Sequence, residues 1–164
     1  MNSEYRIEAY DREGSLRRVI NRSFEPSPIT DRDIRALFYF LDQAWENLGH
    51  TPARIERNHS MVHFAELFPA YFSFQLGYEG SLWVQPIRPP GDLPDEEMAR
   101  YNFAEDFGDF GWEVFDREGR FMGVVTMPYR FQPRTFLGDK IYGVWRDDLD
   151  VQYVLRLKVV EGQG

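Results

Sequence analysis

The tetrapeptide Asp-Arg-Glu-Gly occurs twice, at 11–14 and at 116–119, each time between apolar residues. Ala9-Tyr10-Asp11-Arg12-Glu13-Gly14-Ser15-Leu16 aligns with Val114-Phe115-Asp116-Arg117-Glu118-Gly119-Arg120-Phe121, and Leu76 to Trp83 is a looser third copy. In such a turn the glycine supplies a positive φ, and the aspartate holds the loop by accepting backbone N–H bonds. A chain that repeats one hairpin repeats one supersecondary unit, which buries its apolar face by stacking on its neighbours. Four-stranded antiparallel units stacked radially make a propeller.

The flanking segments carry the period of strands. Tyr5, Ile7 and Ala9 alternate with Glu4, Arg6 and Glu8, and Leu16, Val19 and Ile20 follow the first turn. Strand patterns recur at Phe72–Leu76, Leu82–Val84, Trp112–Phe115, Phe121–Met127, Phe136–Leu137, Ile141–Trp145 and Val151–Val160, nine strands in all. One segment has the other period. After the break at Pro26 and Pro28, Thr30 can cap a helix with Asp31 and Asp33 in its first turn. Ile34, Leu37, Phe38, Leu41, Ala44, Trp45 and Leu48 then fall at helical spacing, and Gly49 ends the run. The spacing predicts one principal helix near residues 30–48. Pro52 can start a short second helix, and Met61 to Phe68 can belong to another.

The three repeated segments resemble blades of six-bladed β-propeller proteins of the NHL-like kind, bacterial proteins of unassigned function. In that family a blade strand ends in an apolar-Asp-x-x-Gly-x-Leu turn, which Val114 to Val125 matches, or carries a Trp-Val pair, as in Leu82-Trp83-Val84. Leu137-Gly138-Asp139 through Val151 resembles the family's final blade. The likeness covers residues 1–28 and 69–160, and 29–68 resembles an insertion between blades. It implies a mainly β fold: a partial β-propeller of two to two-and-a-half four-stranded antiparallel blades in a single domain, 1–164, comprising a hairpin (1–28), a helical insertion (29–68) and blades (69–164). Gly77 stands where the family tends to have Asp, and Ser81 where it tends to have Asn, so that turn is expected to be less rigid. The stretch 91–111 is longer than the usual link. The resemblance also suggests an extracytoplasmic setting, although Met1 to Asp11 has neither the charged nor the apolar region of a signal peptide.

The charge balance narrows the partners. With 27 acidic residues against 19 basic, the net charge is −8. Such a surface repels phosphate backbones, so nucleic acid is not expected as a partner. No apolar run approaches the roughly 18 residues of a membrane span. The absence of cysteine removes disulfides, thiol nucleophiles and thiolate metal sites.

No catalytic motif matches the strength of the repeat. Asp11 and Asp116 can be metal ligands, but one carboxylate per loop suits a turn better than calcium. His59 and His63 share a face if helical, with Glu66 as the nearest third ligand, yet no His-Glu-x-x-His pattern is present. The acidic stretch 92–109, interleaved with Tyr101, Phe103 and Phe107, reads as a solvated loop pinned by aromatics, with a cation site or lid as the alternative. Asp147, Asp148 and Asp150 read as a hairpin turn rather than an acid–base pair. The expectation is a non-enzymatic module without cofactor or metal, acting through self-assembly or partner binding. The competing readings are a metal-dependent propeller hydrolase and a small-ligand module using the aromatic helix and loop. Two-odd blades cannot close a ring, so a homo-oligomer or filament is expected, through blade faces bearing Phe74, Trp83, Phe115 and Trp145 and through edge strands.

Overall fold

Each repeated turn closes an antiparallel hairpin. The computed structural model describes residues 4–98, 101–103, 106–147, 149 and 151–160. β1 (Arg6–Tyr10) and β2 (Leu16–Asn21) form a two-stranded sheet. Two helices follow, α1 (Asp31–Asn47) and α2 (Pro52–His59). β3 (Ser73–Leu76) and β4 (Leu82–Gln85) lead into a long connection holding the one-turn helix α3 (Asp95–Met98). β5 (Gly111–Phe115) and β6 (Phe121–Thr126) then complete a four-stranded antiparallel meander, β3-β4-β5-β6. β7 (Phe131–Leu137), β8 (Lys140–Arg146) and β9 (Gln152–Lys158) make the third sheet. Among the described residues the fold is thus mainly β, with nine strands in three open antiparallel sheets. Met61–Phe68, which the sequence leaves open as a further helix, is irregular, and Leu67 makes an isolated bridge to Pro28.

The four-stranded sheet lies between the other two. Along β4, Leu82, Trp83 and Val84 are all buried, which a strand achieves only when both faces of its sheet are covered. Leu82, Val84 and Phe115 pack with Tyr5, Ile7 and Ile20 of the first sheet. Trp83 and Trp112 point the other way and pack with Phe131, Phe136 and Ile141 of the third. Polar contacts fix the first junction. Tyr5 donates its hydroxyl to Glu113, and Arg22 pairs with the same carboxylate. Burial, then that bond to Glu113, pushes the Tyr5 phenol up, so it stays a donor. Arg18 Nη1 donates to the carbonyl oxygens of Arg117 at 2.7 Å and Asp116 at 3.2 Å, tying β2 to the β5–β6 turn.

The turns share one geometry. The backbone N–H of Asp11 donates to Ser15 O at 3.0 Å, and that of Asp116 to Arg120 O at 2.9 Å. Asp11 Oδ1 accepts from the backbone N–H groups of Glu13 and Ser15, and Asp116 Oδ1 from those of Glu118 and Arg120, all at 2.8–3.0 Å. Even the bulges coincide, at Ala9/Tyr10 and Val114/Phe115. Asp147 repeats the pattern between β8 and β9, closing on Val151 O and accepting from the Leu149 and Val151 N–H groups. These bonds, led by those from Ser15, Arg120 and Val151, hold the three carboxyls below the usual carboxylate range.

The β3–β4 turn closes on the same backbone bond, Gly77 N–H to Ser81 O at 2.8 Å, without a carboxylate. The Trp83 indole occupies that space. A Cβ on Gly77 would lie 2.4 Å from both Trp83 Nε1 and Ser81 Oγ. The glycine expected to loosen the turn is what lets Trp83 seat over it, against Phe136 at 4.6 Å between ring centroids.

α1 begins in a reciprocal cap. Thr30 Oγ1 accepts the Asp33 N–H, and Asp33 Oδ2 accepts from Thr30 N and Oγ1 at 2.8 and 2.6 Å. Asp33 is buried, and its Oδ1 also accepts the Gly91 N–H at 2.7 Å, which joins the helix to the connection after β4.

Candidate functional site: the sheet ends and an arginine-lined cleft

The outer sheets are each covered on one side. Tyr5, just before β1, and Ile7 point inward, whereas Arg6, Glu8 and Tyr10 are exposed. In the third sheet, Leu155, Leu157 and Val159 pack inward. Val154, opposite Val144, remains 82% exposed, and Leu137 is 55% exposed. Among the described residues, β9 has a strand partner only in β8, and β7 only in β8, so both edges of this sheet are open.

The four residues expected on exposed faces divide. Phe115 is 2% exposed and Trp83 8%, each inside a junction between sheets, so neither is available to a partner. The physical reason is alternation: β4 and β5 sit in the middle layer, where each face already has a covering sheet. Phe74 is half exposed on the edge strand β3. Trp145 is half-buried, packs at a tilt against Tyr153, and donates its Nε1–H to Tyr129 O at 3.0 Å.

The other candidates have structural partners. α2 ends at His59, so His59 and His63 share no helical face. His59 Nε2 lies 2.6 Å from Asp42 Oδ1, and its ring sits 4.2 Å from that of Phe38, docking α2 on α1. Among the described residues no group of three or more His, Asp or Glu is placed to hold a metal. Within 92–109, Asp106 is buried and accepts the Asn102 N–H, Asp109 Oδ1 accepts the Gly111 N–H, and the Phe103 and Phe107 rings pack at a tilt, 5.8 Å apart. The acidic stretch is therefore pinned by aromatics where it is described. Glu105, Asp148 and Asp150 lie outside the described residues.

Among the concavities that the described residues form, two stand out by their lining. One, of about 300 Å³, lies beneath α1 between Leu37, Phe64, Phe68, Pro90, Phe103 and Phe107. The other, of about 200 Å³, lies between the second and third sheets, beside β3 and β7. Trp112, Met127 and Phe131 contribute apolar wall, while Gln75, Gln85, Gln132, Arg130, Arg134 and Arg146 contribute polar wall. Gln75 Nε2 donates across the seam to Pro133 O at 3.1 Å, and Gln85 Nε2 donates to Asp109 O at 3.0 Å. Arg130, at φ +58°, donates from Nη1 to Asp147 O at 2.9 Å, and Arg134 Nη2 donates to Gln132 Oε1 at 3.0 Å. The sequence reading missed this cleft, because its walls come from five separate stretches of chain. Its one local trace is Arg130, Gln132 and Arg134 at alternate positions.

No protein-family model matches the chain, and comparisons with curated proteins and with solved structures find no match.

Proposed function

We propose that the chain is a β-propeller-type interaction module of the NHL-like kind, non-enzymatic, in which three blade-like sheets stack and the end sheets associate with those of a second copy. The carrying observation is the asymmetry of cover: the middle sheet is buried on both faces, whereas Val154 and Leu137 of the third sheet are exposed beside an open edge strand. The strand counts support the blade reading. The middle sheet is a full four-stranded meander, and the β1–β2 hairpin reproduces its β5–β6 pair, turn and bulge included. On this reading the first sheet is the outer half of a blade, and the third is a blade short of one strand. Exposed apolar side chains and open β edges both favour association. Light scattering on the eluting protein at micromolar concentration is expected to give a multiple of 19.4 kDa, and Val154→Lys to shift it toward the single-chain mass. A monodisperse wild-type mass of 19.4 kDa overturns the proposal.

A further inference from the structure

The cavity beneath α1 is walled by three stretches of chain: the start of α1, the irregular segment before β3, and the connection after β4. Hydrogen bonds of the main chain fix these stretches to one another. Ile29 N–H donates to Glu66 O and Phe68 N–H to Ser27 O, both at 2.9 Å. Gly91 N–H donates to Asp33 Oδ1 at 2.7 Å, an approach so close that a Cβ on Gly91 would lie 2.7 Å from the same oxygen. Pro69 and Pro90, whose rings restrict φ, also line the space. These bonds set the spacing of the walls, and about 300 Å³ lies between them. A site whose walls are already held loses little freedom when a ligand arrives.

The lining decides what such a space holds. Leu37, Phe64, Phe68, Phe103 and Phe107 present apolar surface. The rings support one another. Between centroids, Phe107 lies 5.8 Å from Phe103 and 6.1 Å from Phe68, and Phe64 meets Phe38 edge-on at 5.5 Å. Among the described lining residues Asp33 alone is charged, and both its oxygens are engaged. Oδ1 accepts the Gly91 N–H, and Oδ2 accepts the Thr30 N–H and hydroxyl at 2.8 and 2.6 Å. No side chain of the described lining is a hydrogen-bond donor. An ion entering here gives up its water without compensation, whereas an apolar molecule has nothing to give up. An apolar cavity of roughly 150 Å³ admits one benzene ring, and ligand pockets begin at roughly 300 Å³, so the volume suits two fused rings.

We propose that the cavity beneath α1 binds a neutral apolar molecule of about two-ring size, held among Phe64, Phe68, Phe103 and Phe107. None of the described lining residues belongs to the third sheet, so binding is read separately from association through Val154. Naphthalene serves as the probe, 2-naphthoate as the same rings with a charge, and benzene as half the size. Amide-resolved NMR titration of the whole chain is expected to show saturable naphthalene binding with a Kd below about 0.1 mM. The shifts are expected at Leu37, Phe68 and Phe107, and the melting temperature is expected to rise with naphthalene concentration. The other two probes are expected to bind at least about tenfold more weakly, a difference of about 1.4 kcal/mol. Ala65→Phe places a ring in the space and is expected to abolish naphthalene binding without lowering the melting temperature. Leu67→Ser is the second variant, because Leu67 is exposed and meets Pro28 through its backbone, so the side chain can change without unfolding the segment. It is expected to weaken naphthalene at least about threefold. No saturable binding up to the solubility of naphthalene overturns the proposal, as does unchanged affinity in either variant that folds. Equal binding of 2-naphthoate would show a site indifferent to charge, and equal binding of benzene a site too small for two rings; either result also overturns it.

Discussion

Replacing Gly77 tests the packing logic at the point where the repeat departs from its own pattern. Turns 11–14 and 116–119 begin with Asp, so pattern matching alone expects Gly77→Asp to strengthen the β3–β4 turn. The structure demands the opposite. Any Cβ there falls 2.4 Å from Ser81 Oγ and Trp83 Nε1 and 2.6 Å from Trp83 Cδ1. Trp83 is 8% exposed and clamped against Phe136, so the indole cannot swing into solvent without opening the second junction. Overpacking of this kind costs about 1–3 kcal/mol. Replacing glycine also stiffens the unfolded chain, a gain of about 0.4–1 kcal/mol where the new residue fits the backbone, as Gly77 at φ −96° permits. The net expectation for Gly77→Ala is a loss on the order of 1–2 kcal/mol. For a domain of this length each kcal/mol lowers the melting temperature by about 2–4 °C. Gly77→Asp is expected to lose at least as much. Thermal and urea unfolding, followed by circular dichroism and tryptophan fluorescence, measure both. In a Trp83→Leu background the space is vacated, and the same glycine substitutions are expected to become nearly neutral. Refutation is simple: either Gly77 variant matching or exceeding the wild type in stability, or an unchanged penalty in the Trp83→Leu background.

Two further outcomes follow from the buried layer and from the turns. Phe115→Ala, at the first junction, is expected to cost about 3–5 kcal/mol, whereas Phe74→Ala on the exposed edge costs under about 1 kcal/mol; urea midpoints that rank the two equally contradict the layer assignment. The depressed carboxyls of Asp11, Asp116 and Asp147 contribute stability that is present above their unfolded value of about 3.9 and is lost as pH falls through the lower folded values. The melting temperature is therefore expected to drop below about pH 4, and the triple Asp→Asn variant to show a shallower drop; equal slopes would remove the turns as its cause.

Much of the local structure is legible in the sequence alone. The Asp-Arg-Glu-Gly turns identified two equivalent hairpins because the information lies within five residues: one carboxylate, two backbone N–H groups and a glycine at positive φ. Thr30 and the periodic stripe behind it identified α1 to within a residue at each end. Alternation, short apolar runs and the turns between them mark all nine strands, although β7 begins at Phe131 rather than Phe136, through Pro133 and a bulge that breaks the pattern. The likeness between the Asp147 turn and the other two was hidden by a different sequence, Asp-Asp-Leu-Asp, that makes the same hydrogen bonds.

What the residues of one strand cannot state is which neighbour covers each face. Leu82-Trp83-Val84 is a run of apolar residues that signals burial on both sides, but Trp83 and Phe115 were assigned to open surface because the covering sheets come from residues 5–20 and 131–157. The cleft is less legible still, since it draws Gln75, Gln85, Trp112, Arg134 and Arg146 from strands of two different sheets. Hydrogen bonds between residues up to four apart form by local geometry, so the sequence by itself determined the turns, the helix cap and the alternation. The order of the sheets, the burial of Trp83 over Gly77 and the gathering of arginines were decided by the tertiary structure, because each depends on side chains from remote segments filling the same space.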